Sequence, residues 1–119
     1  MAIHSDGLRL TVTLRLLDGE GRRRFGPGVA ALLSGVREHR SLRAAAASMG
    51  MAYSKAWRII RSAEEALGCK LLDSTIGGRN GGGAMLTEEG ERLLDAYQTL
   101  REEVNDYAQR RFREHFGTL

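Results

Sequence analysis

The chain has 119 residues, of which 42% are hydrophobic and 28% are charged, and its formal net charge is +3. This length suits one compact domain and is too short for two domains of ordinary size, so we expect residues 1–119 to form a single domain. The composition is that of a soluble globular protein, which excludes a disordered tail and a membrane span. The first residues carry no signal-peptide pattern, so we expect a cytoplasmic protein.

Positive charge is concentrated in the first half of the chain. Residues 1–61 contain 11 Lys and Arg against 4 Asp and Glu, whereas residues 62–119 contain 7 against 11. A basic half attracts polyanions, either nucleic acid or an acidic membrane surface, and charge alone does not choose between them. Cys69 is the single cysteine, and His4, His39 and His115 lack the paired spacing of metal ligands. We therefore expect no disulfide within the chain, no metal site and no cofactor.

The first predicted element is a strand. Apolar and polar residues alternate over residues 8–16, which is typical of a half-buried strand. Residues 18–21 read Asp-Gly-Glu-Gly and predict a turn. The Arg-Arg-Arg-Phe run at residues 22–25 fits either a short return strand or a loop. Its arginines fit equally a solvated edge that discourages strand pairing and a surface that contacts phosphates.

Three helices are predicted next. Pro27 suits a first helical turn, and apolar spacing then continues to about His39. Ser41 is a natural N-cap for a short alanine-rich helix that Gly50 ends, and its small side chains allow close packing against other helices. The third helix covers residues 52–67 and stops at Gly68.

A hairpin and a long helix complete the prediction. Residues 70–76 and 84–86 are expected to be short strands joined by the glycine-rich residues 77–83, a mobile hairpin tip. Thr87 then caps a helix that continues to about His115 and exceeds the width of the domain. Apolar residues recur along this helix with 4-3-4-3 spacing. The spacing predicts that the first half of the helix packs within its own chain and that the second half packs against a second copy. This apolar stripe consists of Leu93, Tyr97, Leu100, Val104 and Tyr107.

Two short helices with a tight turn between them, the second cationic on its outer face, are typical of a helix-turn-helix. The second helix is expected in the major groove of DNA, and the glycine-rich hairpin after it predicts a wing on the flanking backbone or minor groove. The candidate DNA-binding residues are Ser41, Arg43, Tyr53, Ser54, Lys55, Arg58, Arg61, Arg79 and Asn80.

The expected fold is therefore mainly α with a small β component. It is a winged helix-turn-helix with an N-terminal strand, over about residues 8–86, and a long C-terminal dimerisation helix, over about residues 87–116.

Five segments carry a resemblance to a known family. Residues 41–46, 53–57, 66–68, 77–84 and 86–90 resemble, in order and spacing, the N-terminal DNA-binding domain of ModE-type molybdate-dependent transcriptional regulators, whose winged helix is related to that of LysR-type regulators. The resemblance implies a homodimeric regulator that binds double-stranded DNA with its third helix. Full-length members also have C-terminal oxyanion-binding domains, which this chain lacks, so we do not expect it to bind molybdate.

One alternative stays open, a winged-helix module that binds another protein and not DNA. A nucleotide-binding loop is disfavoured because the glycines lead into Ala84 and not into Gly-Lys-Ser/Thr. No catalytic arrangement of Ser, His, Cys and acidic residues is recognisable, so we expect no enzymatic activity.

Overall fold

The structure is a computed structural model that describes residues 5–74 and 83–117. After a 3-10 turn (Ser5–Gly7), the elements are β1 (Leu16–Leu17), β2 (Arg23–Phe25), α1 (Pro27–His39), α2 (Leu42–Ser48), α3 (Tyr53–Leu67), β3 (Leu72–Asp73), β4 (Met85–Leu86) and α4 (Glu88–Phe116). Strands β1 and β2 pair as an antiparallel front hairpin, and β3 and β4 pair as an antiparallel wing hairpin. The predicted fold class, mainly α with a small β component, is confirmed.

The helix boundaries follow from local chemistry. Pro27 opens α1, where its missing N–H costs no hydrogen bond. The hydroxyl oxygen of Ser41 accepts a hydrogen bond from the backbone N–H of Ala44, which caps α2 as predicted. Gly68 ends α3 with a left-handed φ of 73° that glycine adopts without strain. Thr87 caps α4 by accepting a hydrogen bond from the N–H of Gly90.

The core lies where α1, α2 and α3 meet. Small residues of α2 face inward, and Ala45 and Ala46 are completely buried together with Leu33 of α1 and Ile60 of α3. A Cβ added at Gly35 of α1 would stand 2.7 Å from the Cβ of Ala45. The two helices therefore pack so closely that neither position accepts a larger side chain. The apolar spacing of residues 42–49 predicts Met49 on the inward face of α2, but Met49 lies at the C-cap of α2 and is 38% exposed.

The predicted N-terminal strand is wrong in its extent. Strand pairing is limited to Leu16–Leu17, although side-chain burial does alternate over residues 10–16. The earlier part of this segment follows α4 instead: the Tyr97 hydroxyl donates to the Leu14 carbonyl (2.9 Å) and the Gln109 side chain donates to the Leu10 carbonyl (3.0 Å). Residues 10–14 thus run antiparallel to α4, whereas the three-residue return strand β2 pairs with Leu16 and Leu17.

The first half of α4 is fixed to the rest of the fold. Tyr97 is buried and packs edge-to-face against Phe25 with 5.1 Å between ring centres. Arg37 of α1 pairs with Glu91 at 2.5 Å and Asp95 at 2.8 Å. Partial burial acts to lower the pKa of Arg37, but hydrogen bonds with Asp95 and Glu91 outweigh it and raise the pKa. Within residues 5–74 and 83–117, no helix combines the length and hydropathy needed to cross a membrane.

The close contact between α1 and α2 can be tested with Gly35→Ala. The added methyl would overlap Ala45, so we expect the free energy of unfolding to fall by about 1–3 kcal/mol in urea denaturation. Gly28→Ala is the matched control, since its Cβ would enter open space in the same helix, and its stability should be equal or higher. Equal stability of the two variants would contradict the packing argument.

Candidate nucleic-acid interface

The outer face of α3 is a row of polar and cationic side chains. Ala56, Ile60 and Ala63 point into the core, and this leaves the opposite face to solvent. The exposed members of that face are Ser54, Lys55, Arg58, Arg61 and Ser62. Among the residues that the structure describes, none of the three cations in this row forms an ion pair. The row therefore presents positive charge that no neighbouring carboxylate neutralises.

Two of the predicted DNA-binding arginines stack on aromatic rings. The guanidinium carbon of Arg43 lies 4.1 Å from the centre of the Tyr53 ring, and that of Arg61 lies 5.3 Å from the centre of the Trp57 ring. Tyr53 and Trp57 in turn pack edge-to-face, with ring centres 6.4 Å apart. The first contact joins α2 to the start of α3 and holds Arg43 beside the α3 row, whereas the second lies within α3.

The wing hairpin is anchored beside this surface. Ser41, the cap of α2, forms a bridge with Gly83, and the N–H of Ala84 donates to the Arg40 carbonyl at 3.1 Å. On its other side, the Thr87 hydroxyl donates to the Lys70 carbonyl at 2.6 Å. The base of the predicted wing thus lies next to the start of α2. Arg79 and Asn80, the predicted contacts at its tip, lie outside the described residues, and their role stays a prediction.

Glu64 is a residue whose role the sequence reading missed. In the sequence Glu64 is the first acid after the cationic residues of α3, but in the structure it is only 8% exposed. Its carboxylate accepts hydrogen bonds from the backbone N–H groups of Leu71 at 2.8 Å and Leu72 at 3.3 Å, and it pairs with Lys70 at 3.7 Å. A signal was available, because Glu64 follows Ile60 by four residues and therefore shares its buried face. Glu64 fixes β3 to α3.

The arginine run of the front hairpin is partly neutralised. Arg24 pairs with Asp18 at 2.6 Å, and Arg22 pairs with Glu20 at 2.7 Å. The Asp18 carboxylate also accepts hydrogen bonds from the backbone N–H groups of Arg22 and Glu20, and the first of these is the main cause that lowers its pKa. Arg23, between the two paired arginines, is exposed and forms no ion pair within the described part of the chain. Residues 23–25 form the return strand that the sequence left undecided.

The apolar stripe of α4 is divided between two environments. Tyr97 is 2% exposed and belongs to the core of its own chain, and Leu93 packs against that core. Tyr97 is therefore not available to a second copy in this conformation. Leu100 and Tyr107 are 45% and 57% exposed, and Val104 between them is half-buried. Only the second half of the predicted stripe is an open apolar surface.

Comparison with known proteins identifies the helix-turn-helix region. The family model described as "Bacterial regulatory helix-turn-helix protein, lysR family" matches residues 30–91, which is half of the chain. This match covers α2, α3, the wing hairpin and the start of α4, which are the elements that build the surface described above.

The matching curated relatives include molybdenum-related proteins and regulators. Over 65% of its own length, the chain is 35% identical to the molybdenum-pterin-binding protein MopB of Rhodobacter capsulatus. Over 62% of its own length, it is 34% identical to the transcriptional regulator ModE of Haemophilus influenzae. It is 32% identical to the molybdenum transport protein ModE of Herbaspirillum seropedicae over 60%. These matches cover 28%, 29% and 26% of the three relatives, so the chain spans less than a third of their length. The predicted resemblance to the helix-turn-helix domain of ModE-type regulators is confirmed.

The role of Glu64 leads to a stability prediction. Glu64→Ala leaves two buried N–H groups at the start of the wing hairpin without their acceptor, so we expect the free energy of unfolding to fall by about 2–3 kcal/mol. Glu65→Ala, one residue along and exposed, is the control and should change it by less than about 0.5 kcal/mol. Chemical denaturation followed by circular dichroism measures both, and similar losses in the two variants would refute the assigned role.

Proposed function

Because the chain belongs to the lysR family of bacterial regulatory helix-turn-helix proteins, we propose that it is a sequence-specific DNA-binding transcriptional regulator that acts as a homodimer. The observation that carries this proposal is the exposed row of cations along α3, none of which forms an ion pair with another described residue. The proposal gives the chain a binding role and no reaction.

In this proposal α3 enters the major groove. A single helix fits that groove, and the outward side chains of its N-terminal half reach the base edges. Ser54, Lys55 and Arg58 occupy this position on α3, whereas Arg61 lies one turn further and would contact the flanking backbone. Arginine and lysine pair with guanine edges and phosphates alike, so the row can supply both base selection and affinity.

Flanking contacts are proposed for α2 and the wing. Arg43 lies in the first turn of α2, beside Tyr53, and can reach a phosphate from there. For the wing, the support is its anchored base beside Ser41 together with a glycine-rich sequence that contains Arg79 and Asn80. A basic loop of this kind suits the minor groove or the adjacent backbone.

The proposed dimer contact is the second half of α4. Leu100, Val104 and Tyr107 follow one face at helical spacing, and the two outer residues are exposed. Acidic residues 102, 103 and 106 precede basic residues 110, 111 and 113 along the helix. An antiparallel pair of α4 helices centred near Tyr107 would place the acidic turn of each copy beside the basic turn of the other.

DNA binding is tested by Arg58→Ala and Arg61→Ala. Each change removes one exposed cation from α3, so we expect the dissociation constant for duplex DNA to rise about tenfold in fluorescence polarisation. Because Arg61 is assigned to the flanking backbone, Arg61→Ala should also reduce the slope of log affinity against log salt by about one.

Arg92→Ala is the control for these variants, because Arg92 is an exposed α4 residue paired with Glu88. It should leave the affinity and the salt slope unchanged. If the native protein binds no duplex at low ionic strength, the regulator proposal fails and a protein-binding role for the α3 surface is favoured.

The dimer is tested by Leu100→Asp. A carboxylate in the exposed part of the apolar stripe opposes burial against a second copy, so sedimentation equilibrium should show a monomer at concentrations where the native chain is a dimer. Thr99→Asp introduces the same charge at the neighbouring exposed residue, outside the stripe, and should leave the dimer intact. A native chain that remains monomeric at micromolar concentration contradicts the proposal.

A further inference from the structure

A cleft of about 700 Å³ lies between the front hairpin, the first turn of α1 and one side of α3. Basic side chains form its rim, contributed by the front hairpin with the residue before it and by α3 itself. They are Arg15, Arg23, Arg24, Lys55 and Arg58. The floor is apolar and includes Phe25, Val29 and Ile59. This volume falls within the range of small-molecule sites.

The charged side chains that line the cleft are all positive. No Asp or Glu is found among the described residues that line it. Arg24 is held by Asp18, but the other four cations of the rim form no ion pair within residues 5–74 and 83–117. Four unneutralised cations around an apolar floor repel one another, and an anion between them relieves that repulsion.

We propose that this cleft binds a small organic anion, an apolar body that carries a carboxylate. The rim cations attract the carboxylate, and burial of the apolar body against Val29 and Ile59 supplies the rest of the affinity. The DNA backbone is a poorer match for the same cleft, because phosphates and sugars gain little from an apolar floor.

The cleft lies where a bound ligand would weaken DNA binding, an inference that rests on the function proposed above. Lys55 and Arg58 line the cleft and also belong to the exposed row of α3. A carboxylate paired with them withdraws two cations from the DNA surface. The ligand and DNA therefore compete.

The probe for the cleft is 2-naphthoate, titrated into the full chain by isothermal calorimetry without DNA. For a ligand of this size we expect saturable binding with a dissociation constant of about 1 mM. Two further probes separate the contributions: 2-naphthalenemethanol lacks the charge, acetate lacks the apolar body, and each should bind at least about tenfold more weakly. Absence of saturation with naphthoate, or equal binding of the neutral probe, overturns the proposal.

Gly28→Glu locates the site. Gly28 lines the cleft, its Cβ would enter open space, and an acid in the first turn of α1 suits the helix dipole, so the variant should fold. We expect its affinity for naphthoate to fall about tenfold. Gly19→Glu makes the same change in the front-hairpin turn, also in open space but outside the cleft lining, and should retain native affinity. Equal losses in the two variants would show a nonspecific effect of charge and overturn the site.

Competition is measured separately, by polarisation of labelled duplex DNA with and without saturating naphthoate. The apparent dissociation constant for DNA should rise about tenfold in the native chain and less in Gly28→Glu. Naphthoate that binds in the cleft without changing DNA affinity overturns the competition. If the chain binds no DNA, the function proposal fails, while the calorimetric titrations still decide whether the cleft takes the anion. If Gly28→Glu weakens DNA binding and leaves naphthoate binding intact, the cleft is a phosphate-backbone surface and the ligand proposal is wrong.

Discussion

The structure depends on how closely α1 and α2 can approach each other. Gly35 leaves no room for even one methyl group against Ala45, and Ala45 and Ala46 are fully buried between the neighbouring helices. Side chains of ordinary size on α2 would hold α1 and α3 apart and open the core. Because the inward side chains of α2 are small, Ile60 and Ala63 of α3 reach the core. The opposite face of α3, which carries the cations, is exposed to solvent.

A second constraint attaches the wing hairpin to this helical unit. Glu64 binds two backbone N–H groups at the start of β3, and the Thr87 hydroxyl binds a carbonyl of the same chain segment while also capping α4. A Cβ at Gly90 would stand 2.4 Å from the Leu71 carbonyl oxygen, so the first turn of α4 also lies directly against this segment. The wing base, α3 and the start of α4 therefore hold a fixed arrangement.

The cations of α3 lie in two different environments. Arg61 stacks on Trp57 on one side of the helix, whereas Lys55 and Arg58 border the cleft that the front hairpin closes on the other. Arg23 and Arg24 of the front hairpin line the same cleft as Lys55 and Arg58 of α3. The arginine run is therefore not only a solvated strand edge. An anion bound in this cleft, as proposed above, would lower the positive charge on the side of α3 that is assigned to DNA.

The sequence by itself determined the helices, their caps and the cationic face of α3, because helical periodicity, Ser41, Thr87 and Gly68 act within a few residues of chain. It could not determine the partner of residues 8–16, since alternating burial arises equally against a strand or against α4. Nor could it show that Glu64 is buried or that Arg23 and Arg58 line the same cleft. Those features join residues far apart in the chain, and only tertiary packing decides which distant backbone groups and charges meet.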